Sequence, residues 1–460
     1  MIPIVSRNIF HLQERLLGRP SFRILRELNE TQWWPQKNLE ELRLQRLKQL
    51  IHCAYEHTPY WRNLMDAREI KPNAISSIND LSRFPLLEKD TLRRQREDMV
   101  WRDAGKRIQL VRTSGSTNEA LEFYTSSIRE AHINAARMRG HEWIGIRRGE
   151  KEMYYWGSPV ELSKQDRLKQ IRDWLVNDGL TNGFELTPDR VKKYFRHWLK
   201  WRPKCLFGYP STFVLTVGMC EILGLDLKKL RDRGLKIIAT TSEMLSDIDR
   251  KTVADAFGVP VYDSFGLREG GLVGHECEHQ TMHAVDEQVI LETIHPETLE
   301  PSEGKGELVV TNIVGNAFPI IRYRTGDIVT LSKEECSCGR SLSHLEISGG
   351  RAVEFVVTKA GKWVVGYSFI YIARSIKGIV KFQVVQEEIG EITIRLVVDN
   401  QFPTNGTEQV KAKAAQRLGG EDRIEVEIVE DIRPAPSGKY RPVISRVAEE
   451  LYSKREFNGA

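Results

Sequence analysis

Between residues 107 and 345, short β-like runs take turns with helical stretches. The runs are IQLVRTS, EMYYWG, KCLFGYP, LKIIATTSE, VPVYDSFG and GELVVTN. This alternation leaves few options, because each helix carries the chain back so that the next strand lies parallel to the last. It predicts an α/β core with a largely parallel sheet. QVILE and GKGELVVTN add hairpin-like β character near residue 300. Residues 1–105 read instead as a mostly helical lead-in. NLEELRLQRLKQLIHCAYEH has apolar residues at helical spacing, and Thr58-Pro59 closes it. FPLLEKDTLRRQREDMV reads as a turn followed by a helix.

After ISGGR (347–351) the texture changes. EFVVTKAGKWVV reads as a hairpin turning at Gly361, and IVKFQVVQEEIGEITIRLVVD as a second one. The helix EQVKAKAAQRL and the strand RIEVEIVE follow. The expected organisation is a large core over 1–348, a junction at 349–354 and a small α+β domain over 355–460.

With 460 residues the chain is long enough for two or three domains. Its net charge of +5 is too mild to call for a nucleic-acid partner, yet it accommodates small anions. No apolar run spans a bilayer; FVLTVGMCEILGL is short and interrupted by Glu221. The N-terminus lacks a signal-peptide core, and Ile9 to Leu17 reads as an amphipathic helix docked on the domain. Of the six cysteines, Cys53, Cys205 and Cys220 are scattered in apolar surroundings, as buried thiols are. Cys277, Cys336 and Cys338 fall near histidines. Together these features point to a reduced, cytoplasmic compartment and to a metal rather than disulfides. Monomer and dimer both stay open.

Five short pieces carry the chemistry. LVRTSGSTNEA (110–120) ends a strand in a turn rich in Thr, Ser and Gly, whose N–H groups and hydroxyls can form a nest for phosphate oxygens. No Gly-Lys-Ser/Thr closes it, so it is not a Walker loop. YDSFGLREGG (262–271) sets Glu269 after a strand and a glycine turn. IRYRTGDIV (321–329) sets Asp327 just after a glycine, GGR (349–351) opens the small domain, and APSGKYRP (435–442) holds Lys439 in a Ser-Gly turn. Each alone is compatible with an ordinary surface turn.

In this order the five pieces resemble the adenylate-forming ligases, which activate carboxylates with ATP. Within them the chain resembles the phenylacetate-CoA ligase-like branch, which includes homologues encoded in capsular-polysaccharide loci. HTPYWRNLM, FPLLEKDTL and FGYPS support that branch, and the likeness runs from about residue 40 to about residue 450. The resemblance implies a large adenylation core and a small mobile α+β C-terminal domain that pivots on residues 349–354. It implies ATP, Mg²⁺ and a small-molecule carboxylic acid as reactants and cofactor, with coenzyme A as the acyl acceptor. An amine or a sugar hydroxyl as acceptor, or a non-catalytic nucleotide-binding homologue, are the rival readings.

Residue roles follow from the same resemblance. Thr113, Ser114, Gly115, Ser116 and Thr117 would cradle the β- and γ-phosphates. Ser242 and Glu243, in TTSEM, would line the adenine pocket, with Asp263, Ser264 and Phe265 beside the nucleotide. Glu269 would help hold Mg²⁺, a hard ion that prefers oxygen ligands. Asp327 would accept hydrogen bonds from the ribose hydroxyls. Arg351 would sit at the hinge and reach the nucleotide. Lys439 would span the carboxylate and the α-phosphate as charge builds in the transition state. Tyr209 is a candidate wall of the acyl pocket or a core residue, and so are Trp143, Tyr154, Tyr155 and Trp156. Three positions depart from the usual pattern: Asn118 replaces a glycine, Phe265 a tyrosine, and Val353 one acid of an acidic pair.

CEHQTMH (277–283) and CSC (336–338) supply three thiols and two imidazoles from two loops, a donor set suited to tetrahedral Zn²⁺. Either His279 or His283 can complete it. The resemblance selects Cys277, His283, Cys336 and Cys338, a closed and therefore structural site.

Overall fold

The structure, a computed structural model, describes all residues except 105–106, 113–120, 157–166, 184–187, 352–354, 361–362, 366–368, 370–371, 374, 434–440 and 451–460. Thr113 to Thr117, Asn118, Gly361, Val353 and Lys439 therefore lie outside the described residues.

The strands are β1 (Ile108–Arg112), β2 (Glu122–Ser126), β3 (Glu152–Trp156), β4 (Asp178–Asn182), β5 (Cys205–Gly208), β6 (Ile237–Thr241) and β7 (Val261–Leu267). They continue with β8 (Gly271–Glu276), β9 (Met282–Ala284), β10 (Val289–Ile294), β11 (Lys305–Asn312), β12 (Ile320–Ser332) and β13 (His344–Arg351). The last six are β14 (Phe355–Val357), β15 (Trp363–Val365), β16 (Ile379–Gln386), β17 (Glu391–Val398), β18 (Arg423–Ile428) and β19 (Val443–Ser445).

One sheet orders eleven strands as β10-β11-β12-β13-β9-β8-β7-β6-β5-β3-β4. The run β4-β3-β5-β6-β7 is parallel throughout, as the strand–helix alternation predicts. β7, β8, β9 and β13 then pair antiparallel, so the sheet is mixed. Two differences from the sequence reading stand out. β1 does not join this sheet; it pairs antiparallel with β2 in a separate two-stranded ribbon. β4, with the sequence DGLTN, is a strand that no apolar pattern announces. It lies at the sheet edge, where one side needs no partner and a polar sequence is tolerated.

Alternation along β6 explains the two-sided core. Ile238 faces a cluster with Leu206, Phe213, Val217 and Phe257. Its neighbours Ile237 and Ala239 face another with Cys205, Ile144 and Ile146. Successive side chains in a strand point to opposite faces, so both faces of the parallel run are covered.

The lead-in is helical, with α-helices at Pro3–Leu16, Ser21–Thr31, Gln36–His57, Pro59–Ala67 and Lys89–Arg94. In Gln36–His57 the residues Leu47, Leu50, Ile51 and Ala54 share one buried stripe. They pack with Trp61, Met65, Phe84, Phe123 and Phe318. The extended Thr58 ends that helix, and Pro59 opens the next, where its missing N–H costs nothing. Among the described residues, no helix is long and apolar enough to cross a membrane.

The chain divides into two compact units. The first comprises Met1–Glu292, Val309–Arg324 and Leu331–Glu346; the second comprises Thr293–Leu308, Thr325–Thr330 and the described residues from Ile347 onward. In the second, β16 and β17 pair antiparallel, and β18 and β19 flank them in parallel. The helix Gly406–Leu418 buries Val410, Ala414 and Leu418 against Val384, Ile392, Ile394 and Leu396. It stops at Gly419, whose φ of 111° is left-handed and suits glycine. β14 and β15 form the hairpin expected of EFVVTKAGKWVV, in the register Phe355↔Val365.

Candidate active site and metal centre

The C-terminal end of β6 lies beside the middle of β7, with Thr240 opposite Asp263 and Thr241 opposite Ser264. In an open α/β sheet, ligands bind in the crevice beyond such strand ends. Thr240 Oγ1 donates to Asp263 Oδ1 at 2.6 Å, and Ser264 Oγ donates to the Thr240 carbonyl at 2.9 Å. These two bonds lock the end of β6 to the middle of β7. Just past β6, Ser242 adopts a left-handed φ of 67°. Non-glycine residues there are uncommon and concentrate at functional turns. Glu243 follows and accepts the Ser211 N–H at 3.1 Å, at the start of the helix Pro210–Ile222. Tyr209, the residue before that helix, is buried and stacks on Trp156 at 4.1 Å.

Behind Asp263 sits a partly buried ion pair. Arg250 donates to both oxygens of Glu276, and Glu276 also accepts the Asp263 N–H at 2.7 Å. Burial, and then the neighbouring Glu276 charge, push the Asp263 carboxyl up to about 7. The folded state therefore holds this proton more tightly than the unfolded chain, whose aspartate titrates near 4. The contribution to stability is fully present below about pH 4 and is lost as pH rises to about 7. Three pH units correspond to an upper limit of roughly 4 kcal/mol. Asp263→Asn is expected to remove that slope. Its thermal midpoint relative to wild type should rise between pH 5 and pH 8, and a constant difference would contradict the assignment.

β7 runs through Phe265, half-buried opposite Gly274, into a tight turn at Arg268, Glu269 and Gly270. Gly271, at φ 87°, returns the chain into β8. Two side chains hold this turn. Arg129 donates to the carbonyls of Arg268 at 2.6 Å and Glu269 at 2.7 Å. Asn312 Nδ2 donates to the Gly270 carbonyl at 2.8 Å. The Glu269 carboxylate meets the Tyr323 hydroxyl at 3.4 Å. Arg129 is buried near the start of the helix Ser127–Trp143, lies over the Phe123 ring at 5.3 Å, and reaches Thr125 Oγ1 at 3.2 Å. Sequence reasoning does not single out Arg129 or Asn312, because neither lies in a motif.

Asp327 belongs to the second unit. It is buried in β12, just after Gly326 at φ 76°. Its N–H bonds Thr325 Oγ1 at 3.1 Å, and Thr325 in turn bonds the Leu308 carbonyl at 3.0 Å. Arg351 ends β13.

Cys277, His283, Cys336 and Cys338 converge in the first unit, with all four donor atoms within 4.8 Å of one another. Cys277 follows β8 directly. A turn closed by Cys277 N–H to the Thr281 carbonyl at 2.9 Å brings β9 and His283 back alongside. The CSC loop is tightened by Gly339 N–H to the Cys336 carbonyl at 2.9 Å, with Gly339 at φ 76°. Cys277 Sγ lies 3.9 Å from Cys336 Sγ, far beyond a disulfide bond, and Cys338 Sγ lies 3.2 Å from His283 Nε2. Tetrahedral coordination at ordinary metal–sulfur and metal–nitrogen lengths puts such pairs about 3.8 and about 3.6 Å apart. The set therefore fits a soft-to-borderline tetrahedral ion.

His283 Nδ1 sits 3.3 Å from the Leu342 carbonyl, which directs Nε2 toward the sulfurs. Burial pushes His283 down to about 4, so the ring is neutral and can ligate near pH 7. Burial raises the Cys277 thiol to about 12. Burial also opposes ionisation of Cys336, but hydrogen bonds from Thr281, Cys338 and Cys277 outweigh it and lower that thiol. The histidine that joins the set is His283; His279 instead donates its backbone N–H to Cys277 Sγ at 3.4 Å.

The aromatic candidates separate. Trp143 packs 5.8 Å from His283 and donates to Gln32. Tyr155 is buried, with its hydroxyl bonded to Thr216. Tyr154 packs edge-on against Phe207. Trp156 alone of the four stacks on Tyr209.

The fold has counterparts among known proteins. A crystal structure of 2-hydroxyisobutyryl-CoA ligase in the postadenylation state superposes with a TM-score of 0.73, at 18% identity, over 92% of this chain and 94% of that one. This is the fold of the adenylate-forming acyl-CoA ligases. In sequence, the ligase-fold chain is 25% identical to the phenylacetate-coenzyme A ligase of Thermus thermophilus, over 72% of this chain and 74% of the relative. It is 22% identical to protein CapK of Staphylococcus aureus, over 92% of this chain and 91% of the relative. Residues 356–446 match the family model described as the CapK C-terminal domain.

Proposed function

We propose that the chain is an ATP-dependent carboxylic acid ligase. A substrate carboxylate oxygen attacks the α-phosphorus of ATP, pyrophosphate leaves, and an acyl-adenylate results. The thiol of coenzyme A then attacks the acyl carbon, AMP leaves, and the thiol proton passes to the medium. The observation that carries this reading is the continuous path from the end of β6, locked to the middle of β7, along β7 into the turn that Arg129 clamps around Glu269.

Each candidate residue then has a task. Ser242 and Glu243 line the adenine side, and Asp263 to Phe265 floor the nucleotide. Glu269 is the carboxylate available to Mg²⁺, which when bound neutralises charge on the phosphates. Arg129 is a positioning residue, since it holds the Glu269 turn through backbone carbonyls. Asp327 receives the ribose hydroxyls, and the loop 113–117 receives the outer phosphates. The stacked Trp156 and Tyr209 favour an aryl or arylacetic acid as substrate. Zinc is the ion proposed for Cys277, His283, Cys336 and Cys338, where it ties two loops and takes no part in the reaction.

ATP–pyrophosphate exchange across a panel of carboxylic acids tests this. Exchange that requires both Mg²⁺ and an aromatic acid is expected, and added coenzyme A should convert the adenylate to a thioester. Absence of exchange across the whole panel would rule out adenylation. Acyl transfer to an amine or sugar hydroxyl, with coenzyme A ignored, would reassign the second step.

A further inference from the structure

The helix Pro3–Leu16 has three faces. One docks on the protein, where buried Glu14 accepts from Ser21 and from Asn134 Nδ2 at 2.9 Å. A second carries Val5, Leu12 and Leu16, which the helical repeat aligns in one stripe. Leu12 is 58% and Leu16 68% exposed, and Ile2, at the helix N-cap, is as open. Leaving this much apolar surface in water at one place is unfavourable. The third face carries Arg7, His11 and Arg15, spaced four residues apart. It borders a hollow of about 710 Å³ whose wall also includes Arg19, Arg23, Arg26 and Arg147.

The charges in the hollow are unbalanced. Its one acid, Glu142, already accepts from Asn29. Arg19 lies 3.7 Å from Glu14. Among the described residues, no carboxylate pairs with the guanidinium groups of Arg7, Arg15, Arg23, Arg26 or Arg147.

We propose that this outer face docks on an anionic membrane surface. An apolar stripe directly beside an arginine-rich face is the layout of a helix lying in the lipid interface. The stripe enters the headgroup boundary while the arginines meet lipid phosphates and carboxylates. A soluble anion would satisfy the hollow but leave the stripe bare. A second apolar chain would cover the stripe but leave the arginines unbalanced. The anionic interface answers both, while the first face keeps the helix docked on the protein through Glu14.

The test uses the full chain and vesicles of phosphatidylcholine alone or doped with phosphatidylserine. Co-sedimentation is expected only with the doped vesicles and should weaken as salt rises. Arg23→Gln with Arg26→Gln should reduce partitioning about fivefold per arginine removed. Leu12→Ser with Leu16→Ser should reduce it at least tenfold. All four side chains lie on the surface, so ATP–pyrophosphate exchange should stay at the wild-type rate in both variants. Failure to bind doped vesicles, or binding that both variants retain, would overturn the proposal. So would a dimer that the leucine variant dissolves, or tight binding of free pyrophosphate without vesicle binding.

Discussion

Lys439→Ala is expected to cut carboxylate-dependent ATP–pyrophosphate exchange by about three orders of magnitude. The same variant should still form thioester from supplied acyl-adenylate within a few-fold of wild type. Bringing a carboxylate to a triphosphate opposes like charges, and the repulsion peaks as the new oxygen–phosphorus bond forms. A cation that spans both groups acts on that peak and has no task once pyrophosphate has left. The small domain is proposed to rotate about residues 349–354 between the two steps, withdrawing Lys439 from the adenylate. Rate measurements on the two half-reactions separate the cases. Equal loss in both would mean that the lysine serves the fold or the binding of AMP.

Cys336→Ser should have the next largest effect, on metal content and stability. Removing one of four ligands is expected to weaken zinc binding by at least about a hundredfold. It should lower the thermal midpoint by roughly 5–10 °C. Wild-type protein should carry stoichiometric zinc by elemental analysis, and a strong chelator should reproduce the drop in melting. The acid preference of the variant should stay unchanged, because the cluster lies past β8 rather than at the strand ends. Metal-free wild type would end the zinc assignment. A shift in acid preference with full metal content would move the cluster into the substrate site.

The parallel run is legible in the chain because β3, β5, β6 and β7 are largely apolar and each follows a helical stretch. The β16–β17 hairpin is legible for the related reason that its strands alternate. β4 is invisible for the opposite reason, since an edge strand with DGLTN needs no apolar face. The Cys/His set stands out because soft ligands are rare and gather in two short loops. Arg129 is illegible in principle. It acts through backbone carbonyls 139 and 140 positions away, and a side chain that grips main chain leaves no partner motif to read.

The helix Ser127–Trp143 starts at the turn of Glu269 and ends against His283. β8 joins the same two places, running from that turn to Cys277. The two elements act as the paired rails of a ladder whose end rungs are the arginine clamp and the sulfur–nitrogen knot. The two rungs lie about 20 Å apart along the strand. The turn that carries Glu269, the carboxylate proposed for Mg²⁺, and the sulfur–nitrogen cluster are thus the two ends of one short strand and of one helix.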